Sequence, residues 1–427
     1  MLTARLGDLG SAADVLRRVD AGARAAGLPS PAALVGEWFG SRAVIAPTVD
    51  VRPVDAAAVF QVQPGAGGAA VGGGWIGYLS YPDPGGDGAP PRIPEAAGGW
   101  TDCVLRCDHE GIWWYESLSG ATIPDWVASA LDSRPASGRC TISWRMPDEQ
   151  AHHAGVLACL EAIRAGEVYQ ACVCTQFTGT ATGSALHFFA EAVTRTGPAR
   201  AAFLGGDWGA VASLSPELFL RRVGGRVSSS PIKGTLPFQA HPQLLRDSVK
   251  DVAENIMIVD LVRNDLGHVA RTGSVTVPEL LDVRPAPGVW HLVSTIVAEV
   301  PDTVTNAELL SATFPPASVT GTPKQRARQL LSGWEPHRRG VYCGTIGLAS
   351  PVGGCELNVA IRTVEFDADG CAVLGVGGGI TADSDPAAEW QECLDKAAAI
   401  VGPAQMAFPE SLDSTPPPEP RPRSTAS

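Results

Sequence analysis

The spacing of apolar and polar residues over 246–266 predicts one amphipathic helix, which Gly267 would end. Asp251 and Glu254 stand three positions apart on one face, where like charges repel each other, so a cation would stabilise this face. The apolar positions form a separate stripe that we expect to be buried, and its members are Val249, Val252, Ala253, Ile256 and Val259.

The remaining elements are predicted from helical or alternating spacing of apolar residues. The predicted helices cover Ser11–Ala26, a short segment within 120–140, His152–Ala165, Ala185–Thr196, Ala307–Phe314, Lys324–Leu331 and Pro386–Gly402. The predicted strands cover Val35–Ala46, Val49–Val54, Trp100–Ser117, Thr141–Trp144, Val168–Phe177, Ala201–Phe203, Gly209–Leu214, Leu218–Val223, Arg226–Ser230, Ser274–Val277, His291–Val300, 341–350, 355–364 and 371–376. Because strands dominate and do not alternate regularly with helices, the order favours an α+β fold over a doubly wound sheet.

The composition excludes several classes of function. The formal net charge of −13 argues against nucleic acid and anionic membrane surfaces as partners, although a local basic or metal site could still bind a small anion. The 10 cysteines include no C-x-x-C pair, so zinc ribbons and thioredoxin-type chemistry have no support. The chain shows no signal-peptide pattern at its start and no apolar stretch of membrane-spanning length. We therefore expect a soluble, cytoplasmic protein.

The texture of the sequence changes near Glu149, which suggests a boundary between two regions. We expect an N-terminal region over 1–145 and a second region, with most of the candidate chemistry, over 146–405. The Pro/Ser-rich segment 406–427 is expected to be a disordered tail.

A bent segment is predicted around Lys233, because Pro231 interrupts a regular ladder and Gly234 permits close backbone approach. A lysine in such a segment can be a solvated surface group, an anion clamp or a nucleophile, and its own sequence context leaves these three open. Ser230 and Lys233 also match the S-x-x-K signature of acyl-serine enzymes, but Pro231 stands between them and the chain has no K-T-G.

A second acidic face is predicted on the last helix, where Glu389, Glu392 and Lys396 fall on one side. Either acidic pair alone is typical of a solvated helix face. Two such pairs on distant helices suggest a shared Mg²⁺ site, because Mg²⁺ takes few carboxylates and keeps places for water and an anionic substrate.

Three further candidates stand later in the chain. The glycines at 377–379 are expected in a turn after a strand, where bare N–H groups suit a carboxylate or phosphate, although a plain flexible turn fits as well. Arg362, at the end of a predicted strand, could bind a carboxylate or form a structural ion pair. His291 is expected by default to be a buried core histidine.

The order of these motifs resembles the chorismate-utilising enzymes, typified by component I of anthranilate synthase and of aminodeoxychorismate synthase. The resemblance is dense over 150–402 and looser over the N-terminal region. The motifs that carry it are Ala165-Gly-Glu-Val-Tyr-Gln170, Ser215-Pro-Glu217, Pro231-Ile-Lys-Gly-Thr235, Lys250-Asp-Val-Ala-Glu-Asn255, Val259-Asp-Leu-Val-Arg-Asn-Asp-Leu-Gly267, Val319-Thr-Gly-Thr-Pro-Lys324, Tyr342-Cys-Gly-Thr-Ile-Gly347, Ala360-Ile-Arg-Thr363 and Asp383-Ser-Asp-Pro386.

The resemblance implies a fold and a set of site residues. The fold would consist of large, mainly antiparallel sheets packed as a sandwich with helices outside. Mg²⁺ would be held by Glu254 and Glu392, with Asp251 and Glu389 acting mostly through bound water. The implied catalytic residues are Lys233 as nucleophile, Glu217 as acid and His291 as a hydrogen-bonding group near C4 of the substrate. The implied substrate-binding residues are Thr320, Tyr342, Arg362, Gly377, Gly378, Gly379 and Lys396.

Within the family, the residues at two positions distinguish the subgroups, and a third position departs from the family as a whole. A lysine at position 233 is typical of the aminodeoxychorismate synthases, whereas anthranilate synthases have alanine there. Gln170 stands where relatives that use water as the nucleophile have a lysine, which argues against water in this role. Leu236 departs from the arginine that is usual in the family, which leaves the contacts of that position open.

The resemblance therefore implies attack of Lys233 on C2 of chorismate, loss of the C4 hydroxyl, and addition of ammonia at C4 to give 4-amino-4-deoxychorismate. Because the reaction needs an uncharged amine, we expect Lys233 to be desolvated. Ammonia would come from a separate glutamine amidotransferase subunit or from solution. The product would serve p-aminobenzoate and folate biosynthesis or a specialised aromatic pathway. The alternatives are an anthranilate synthase component I and a non-catalytic, chorismate-binding regulatory paralogue.

Overall fold

The computed structural model describes residues 1–63, 65, 67–83 and 90–402. The predicted disordered tail, 406–427, therefore lies outside the described residues. The α-helices of the described part are α1 (Ala12–Ala25), α2 (Asp125–Leu131), α3 (Glu149–Arg164), α4 (Ala185–Thr196), α5 (Gln243–Asp247), α6 (Val249–Gly267), α7 (Asn306–Thr313), α8 (Lys324–Trp334) and α9 (Pro386–Val401). Within these residues, no helix combines the length and the apolar composition needed to cross a membrane.

Antiparallel strands make up most of the remaining structure. Those before residue 200 are β1 (Leu2–Gly7), β2 (Ala32–Trp38), β3 (Ser41–Ala46), β4 (Arg52–Pro53), β5 (Gly74–Leu79), β6 (Ala96–Thr101), β7 (Cys103–Cys107), β8 (Trp113–Ser117), β9 (Cys140–Arg145) and β10 (Gln170–Gly183). Those after it are β11 (Arg200–Gly206), β12 (Gly209–Ser215), β13 (Leu218–Val223), β14 (Arg226–Ser230), β15 (Ile232–Pro237), β16 (Thr276–Ala286), β17 (Val289–Glu299), β18 (Gly321–Thr322), β19 (Thr345–Ser350), β20 (Gly354–Val359), β21 (Thr363–Asp367) and β22 (Cys371–Ile380).

The strands form two large sheets. The first has the order β1-β8-β7-β3-β2-β11-β12-β21-β22-β10-β18, with β9 also paired to β10, and the second has the order β15-β17-β14-β13-β20-β19-β5-β6-β4, with β16 also paired to β17. One buried cluster joins side chains of both sheets, such as Leu34 and Val211 from the first and Ile76 and Leu348 from the second. Both sheets also combine strands from either side of residue 145. The predicted α+β sandwich of antiparallel sheets is confirmed.

The buried face of α6 differs from the face that its sequence predicts. Val249 is 84% exposed and Ile256 is 46% exposed, whereas the acidic residue Glu254 is only 7% exposed. The helix also begins later than predicted, because Ser248 separates it from α5 and caps it by accepting a hydrogen bond from the Asp251 N–H. The expected apolar stripe is therefore confirmed only at Val259, because the buried face of the helix also takes in the polar residues Glu254 and Asn255.

Two predictions about the last strands were also wrong. The segment 355–364 is not one strand, since β20 and β21 are separated by a turn in which Arg362 has a positive φ of 51°. The glycines at 377–379 do not form a turn, because they continue β22 and pair with Val173 and its neighbours in β10. Beyond Leu374 this part of β22 has no partner in β21, so the edge opposite β10 is left open by that strand.

Candidate active site

Lys233 lies in a β-bulge of β15. Between the residues that pair with Val293 and with His291 of β17, β15 contains one residue more than its neighbour. Gly234 has a φ of 86° in this bulge, a conformation that suits glycine. The bulge brings Lys233 Nζ to 3.9 Å from Glu254 Oε2, with the lysine side chain only 13% exposed. The bent and desolvated lysine that the sequence predicts is therefore present.

The helix α6 packs directly against this bulge. A Cβ atom on Gly234 would lie 3.0 Å from Cγ of Asp251, so the absence of a side chain allows the helix to approach the strand. On the same helix, the buried Asn255 donates a hydrogen bond to the Leu292 carbonyl at 3.3 Å and accepts one from the Ser294 hydroxyl at 2.5 Å. These contacts fix the rotation of α6, which explains why its acidic side is buried.

The site has a floor without side chains, which we call the glycine floor and which consists of Gly377, Gly378 and Gly379 of β22. A Cβ atom on Gly378 would lie 2.9 Å from Glu389 Oε2 of α9. A Cβ atom on Gly379 would lie 3.3 Å from both Glu254 Oε2 and Lys233 Nζ. The floor therefore joins the two predicted halves of the site, because α6 and α9 both reach it with carboxylates.

Three of the four predicted carboxylates are paired with lysines. Lys396 Nζ also donates a hydrogen bond to the Gly377 carbonyl at 2.7 Å, so this lysine is held against the glycine floor. The pairs and their closest N–O distances are Lys233 with Glu254 at 3.9 Å, Lys250 with Glu389 at 3.1 Å, and Lys396 with Glu392 at 2.7 Å.

Two carboxylate oxygens at the site are buried without a hydrogen-bond partner, and they are Glu254 Oε1 and Glu389 Oε2. Buried polar atoms in folded proteins usually have a partner, so each of these oxygens is a place where a ligand or water can bind. No three His, Cys, Asp or Glu side chains among the described residues converge closely enough to enclose an ion by themselves. The arrangement fits Mg²⁺, which binds few protein carboxylates and keeps several waters.

The charge states of two carboxylates follow from their surroundings. Burial raises the pKa of Glu254, although the ammonium groups of Lys233 and Lys250 oppose this effect. Burial also acts to raise the pKa of Glu392, but Lys396, with its hydrogen bond, and the more distant lysines lower it below the ordinary value. Glu392 is therefore the more fully ionised of the two near neutral pH.

Glu217 is a buried carboxyl group near Lys233, and it shares a small cavity with residues of α6 such as Val262 and Leu266. Burial raises its pKa to about 7, and the Ser318 hydroxyl, the Lys233 ammonium and the Ile232 N–H oppose that rise. The Ser318 hydroxyl nevertheless forms no hydrogen bond of normal geometry. A small cavity of about 10 Å³, enough for one water, adjoins the carboxyl group. A carboxyl group with this pKa can hold a proton near neutral pH and donate it.

His291 is buried and Arg362 is half-buried in the same region. His291 Nδ1 lies 2.8 Å from the Thr235 hydroxyl, and burial, with the Arg362 charge nearby, lowers the pKa of His291 to about 4. This imidazole is therefore neutral at physiological pH. Burial also lowers the pKa of Arg362, and no carboxylate forms an ion pair with it among the described residues. A desolvated guanidinium without an anion is suited to bind an anionic ligand.

The comparison with known proteins decides the family. A sequence profile of the chorismate binding enzymes matches residues 48–402. The chain belongs to this family.

Named relatives of this chorismate-binding enzyme carry the same activity name. It is 42% identical over 324 residues to aminodeoxychorismate synthase component 1 of Escherichia coli (strain K12), an alignment that covers 72% of this chain and 70% of the relative. It is 38% identical over 322 residues to the protein of the same name from Klebsiella aerogenes, covering 73% and 71%. Its fold is similar to anthranilate synthase component I of Streptococcus pneumoniae TIGR4, with a TM-score of 0.67, 24% identity and coverage of 87% and 90%.

Two predicted substrate-binding residues of this chorismate-binding enzyme are engaged within the protein. The Thr320 hydroxyl donates to the carbonyls of Pro316 and Ala317, both at 3.2 Å. The Tyr342 ring is buried against Gly375, two residues before the start of the glycine floor. Their roles as substrate contacts remain predictions.

Sequence reasoning gave no role to Lys250, which the structure places on Glu389 of the other helix. Its spacing to Glu254 on α6 is typical of a pair within one helix, so the sequence carried no signal for a contact with α9. From the sequence, Gln170 served only to argue against water as the nucleophile. In the structure its buried Oε1 also lacks a hydrogen-bond partner. That oxygen would lie 3.4 Å from a Cβ atom on Gly379, which places Gln170 at the glycine floor.

Replacement of Gly379 by alanine is expected to raise the KM for chorismate about tenfold, because one methyl group would crowd the floor where Lys233 and Glu254 meet. Gly379 has no positive φ, so the backbone accepts alanine and the protein should remain folded. Steady-state kinetics would measure the change. Gly333→Ala in α8 is the matched control, because nothing lies within 4 Å of its Cβ position. An unchanged KM in Gly379→Ala would mean that chorismate does not bind against the floor.

Proposed function

We propose that this chain is a cytoplasmic, Mg²⁺-dependent aminodeoxychorismate synthase component I, which converts chorismate and ammonia to 4-amino-4-deoxychorismate. The observation that carries the proposal is Lys233 in its bulge, with Nζ 3.9 Å from Glu254 Oε2 and beside the glycine floor. A buried amine next to carboxylates that fit a cation supports a nucleophile that attacks a bound anionic substrate. The names of the relatives from two bacteria support the same activity.

The first chemical step is attack of the uncharged Lys233 amine on C2 of chorismate. A carbon–nitrogen bond forms at C2, the two conjugated ring double bonds shift from C1–C2 and C5–C6 to C1–C6 and C4–C5, and the C4–oxygen bond breaks. Glu217 donates the proton that lets the hydroxyl group leave as water, a role supported by its pKa of about 7. The neutral His291 would form a hydrogen bond near the leaving oxygen.

The second step returns the enzyme to its starting state. Ammonia adds at C4, both ring double bonds shift back, and the C2–nitrogen bond breaks so that Lys233 leaves as an uncharged amine. Glu217, ionised after the first step, accepts the proton that the new C4 ammonium group loses. Chorismate and ammonia thus give the aminated product and water with no other reactant.

The carboxylates of α6 and α9 would hold Mg²⁺, with Glu254 and Glu392 as direct ligands and Asp251 and Glu389 acting through water. When bound, the ion supplies Lewis-acid stabilisation of negative charge on the ring carboxylate. The partnerless oxygens of Glu254 and Glu389 support a cation at this place. Arg362 and the open edge of the glycine floor would bind the enolpyruvyl carboxylate, which supplies the anion that Arg362 lacks.

Ammonia would come from a separate amidotransferase subunit that hydrolyses glutamine, or directly from solution. The name "component 1" that the relatives carry supports an enzyme of more than one component.

The test of this proposal is the identity of the product. Purified protein would be mixed with chorismate, an ammonium salt and Mg²⁺, and the products separated by mass and by fluorescence. A Mg²⁺-dependent mass of 4-amino-4-deoxychorismate is the expected result. Anthranilate fluorescence would assign an anthranilate synthase instead, and chorismate binding without turnover would assign a regulatory paralogue.

The proton held by Glu217 predicts the pH dependence. We expect kcat/KM for chorismate, compared at one concentration of free ammonia, to fall about tenfold per pH unit above pH 7, because this parameter reports the free enzyme and its acid would be ionised there. Burial raises this pKa, so the protonated form is the one present below pH 7 and lost above it. The Glu217→Gln variant should have a low kcat/KM, and that value should not fall further above pH 7. If kcat/KM of Glu217→Gln fell above the same pH as that of the wild type, another group would be responsible for the fall.

A further inference from the structure

Lys250 connects the two helices that carry the site carboxylates. It stands in the first turn of α6, and its Nζ lies 3.1 Å from Oε1 of Glu389 on α9. The lysine side chain is 46% exposed, whereas the Glu389 side chain is only 3% exposed. Lys250 therefore lies at the solvent-exposed side of this ion pair, and Glu389 lies at its buried side.

The two oxygens of Glu389 have different surroundings. Oε1 accepts hydrogen bonds from Lys250 at 3.1 Å and from the Ser384 hydroxyl at 2.7 Å. Oε2 is buried without a partner and points at the glycine floor, 2.9 Å from where a Cβ atom on Gly378 would be. A cation at the floor would therefore share this carboxylate with the ammonium group of Lys250.

Lys250 differs from the other two lysines of the site in how it is held. Lys396 is fastened to the Gly377 carbonyl as well as to Glu392, and Lys233 is buried in the bulge. Among the described residues, Lys250 donates a side-chain hydrogen bond to Glu389 and to no other residue. About half of the Lys250 side chain is exposed to solvent. Lys250 is therefore the lysine that can leave its carboxylate without breaking other contacts.

We propose that Lys250 is a positioning residue that occupies Glu389 when the divalent cation is absent and weakens binding of the cation there. A divalent cation and an ammonium group on one carboxylate repel each other, and partial burial reduces the screening of that repulsion by salt. Binding of the cation then releases Lys250 towards solvent. The identity of the cation rests on the proposed function, but the competition is a property of the protein without chorismate.

The first test measures binding of Mn²⁺, as a stand-in for Mg²⁺, to the full chain without chorismate. Lys250→Met removes the charge at similar length, and we expect it to bind Mn²⁺ about tenfold or more tightly than wild type, as measured by electron paramagnetic resonance. Lys250→Arg keeps the charge and should bind within about threefold of wild type. Unchanged or weaker binding by Lys250→Met would overturn the proposal, since a residue that only supports Glu389 would lose affinity when removed.

A matched control separates this local effect from net charge. Arg263 is on the same helix, half-exposed and paired with Asp260 at 2.8 Å, and it lies about 20 Å from Lys250 along the axis. Arg263→Met should leave Mn²⁺ affinity within about twofold of wild type, because exposed charges at this distance are screened. An equal tightening in Arg263→Met would overturn the proposal.

A second test uses the wild-type protein and so does not depend on the folding of a variant. Lysines would be acylated briefly with and without Mg²⁺, in the absence of chorismate, and the modified positions identified by mass spectrometry. We expect acylation of Lys250 to rise several-fold with Mg²⁺, while that of the α-amine of Met1, an exposed residue away from the site, stays constant. Protection of Lys250 by Mg²⁺, or no change, would overturn the proposal. Neither test uses turnover, so a different product of the enzyme would leave both readouts interpretable.

Discussion

Replacement of Lys233 by alanine is expected to lower kcat for chorismate amination about 10³-fold, which corresponds to about 4 kcal/mol of transition-state stabilisation. The physical reason is that the proposed route passes through a bond between the Lys233 amine and C2, and no other described lysine occupies the bulge beside the glycine floor. The protein should remain folded, because removal of a largely buried lysine also removes the cost of burying it. Turnover measured by product mass, with circular dichroism for the fold, would check both expectations.

The control for this variant keeps the charge but removes the nucleophile. Lys233→Arg retains a cation near Glu254, whereas its guanidinium cannot supply an uncharged amine, so it should be as inactive as alanine. Intact-protein mass spectrometry of the wild type with chorismate and Mg²⁺, without ammonia, should reveal a covalent adduct on Lys233. Wild-type rates in either variant would exclude the covalent route and leave direct attack of ammonia as the mechanism.

Replacement of Glu254 by glutamine is expected to lower the rate about 10²-fold and to raise the Mg²⁺ concentration needed for half-maximal activity. The change preserves shape but removes the charge that faces Lys233 at 3.9 Å, and it converts the partnerless Oε1 or its neighbour to a donor. Because burial raises the pKa of Glu254, its ionised form is disfavoured in the folded protein, and the neutral amide should leave thermal stability equal or higher. Kinetics at graded Mg²⁺ and thermal unfolding would measure the two effects.

The matched control for Glu254→Gln is Glu161→Gln on α3, which removes an exposed carboxylate from another helix. It should leave both the rate and the Mg²⁺ requirement unchanged. If Glu254→Gln kept the wild-type Mg²⁺ requirement, the cation would have to bind elsewhere, and the acidic side of α6 would be buried for another reason.

Much of the fold follows from local rules that the sequence displays. The predicted bounds of α4, β13 and β14 agree with the structure at Ala185–Thr196, Leu218–Val223 and Arg226–Ser230. In α4 and β13 the apolar residues recur with the period of the element, and β14 lies between Gly225 and Pro231, so local preference and tertiary packing agree. The bend at Lys233 was predictable for the same reason, because Pro231 and Gly234 restrict the backbone wherever the segment lies.

The site shows where such rules fail. The apolar period of α6 predicted its buried face correctly only at Val259, because Glu254 and Asn255 are buried by contacts with β15, β17 and β22 that no helical pattern contains. The same applies to the glycine floor, where three glycines indicate a turn locally but are held in a strand by pairing with β10. Local rules are expected to fail at functional sites, because these burial choices serve a ligand and not the stability of the element.

The sequence by itself determined the kinds of residue available, the order of the elements and the resemblance to one enzyme family, since these depend on spacing along the chain. Only the tertiary structure decided which carboxylates keep partnerless oxygens, and that Lys250 binds Glu389 across 139 positions of sequence. It also decided that Lys233, Glu254 and Glu389 meet at one floor. The physical reason is that burial, pairing and pKa depend on distances between elements, and these distances are set by how the sheets and helices pack.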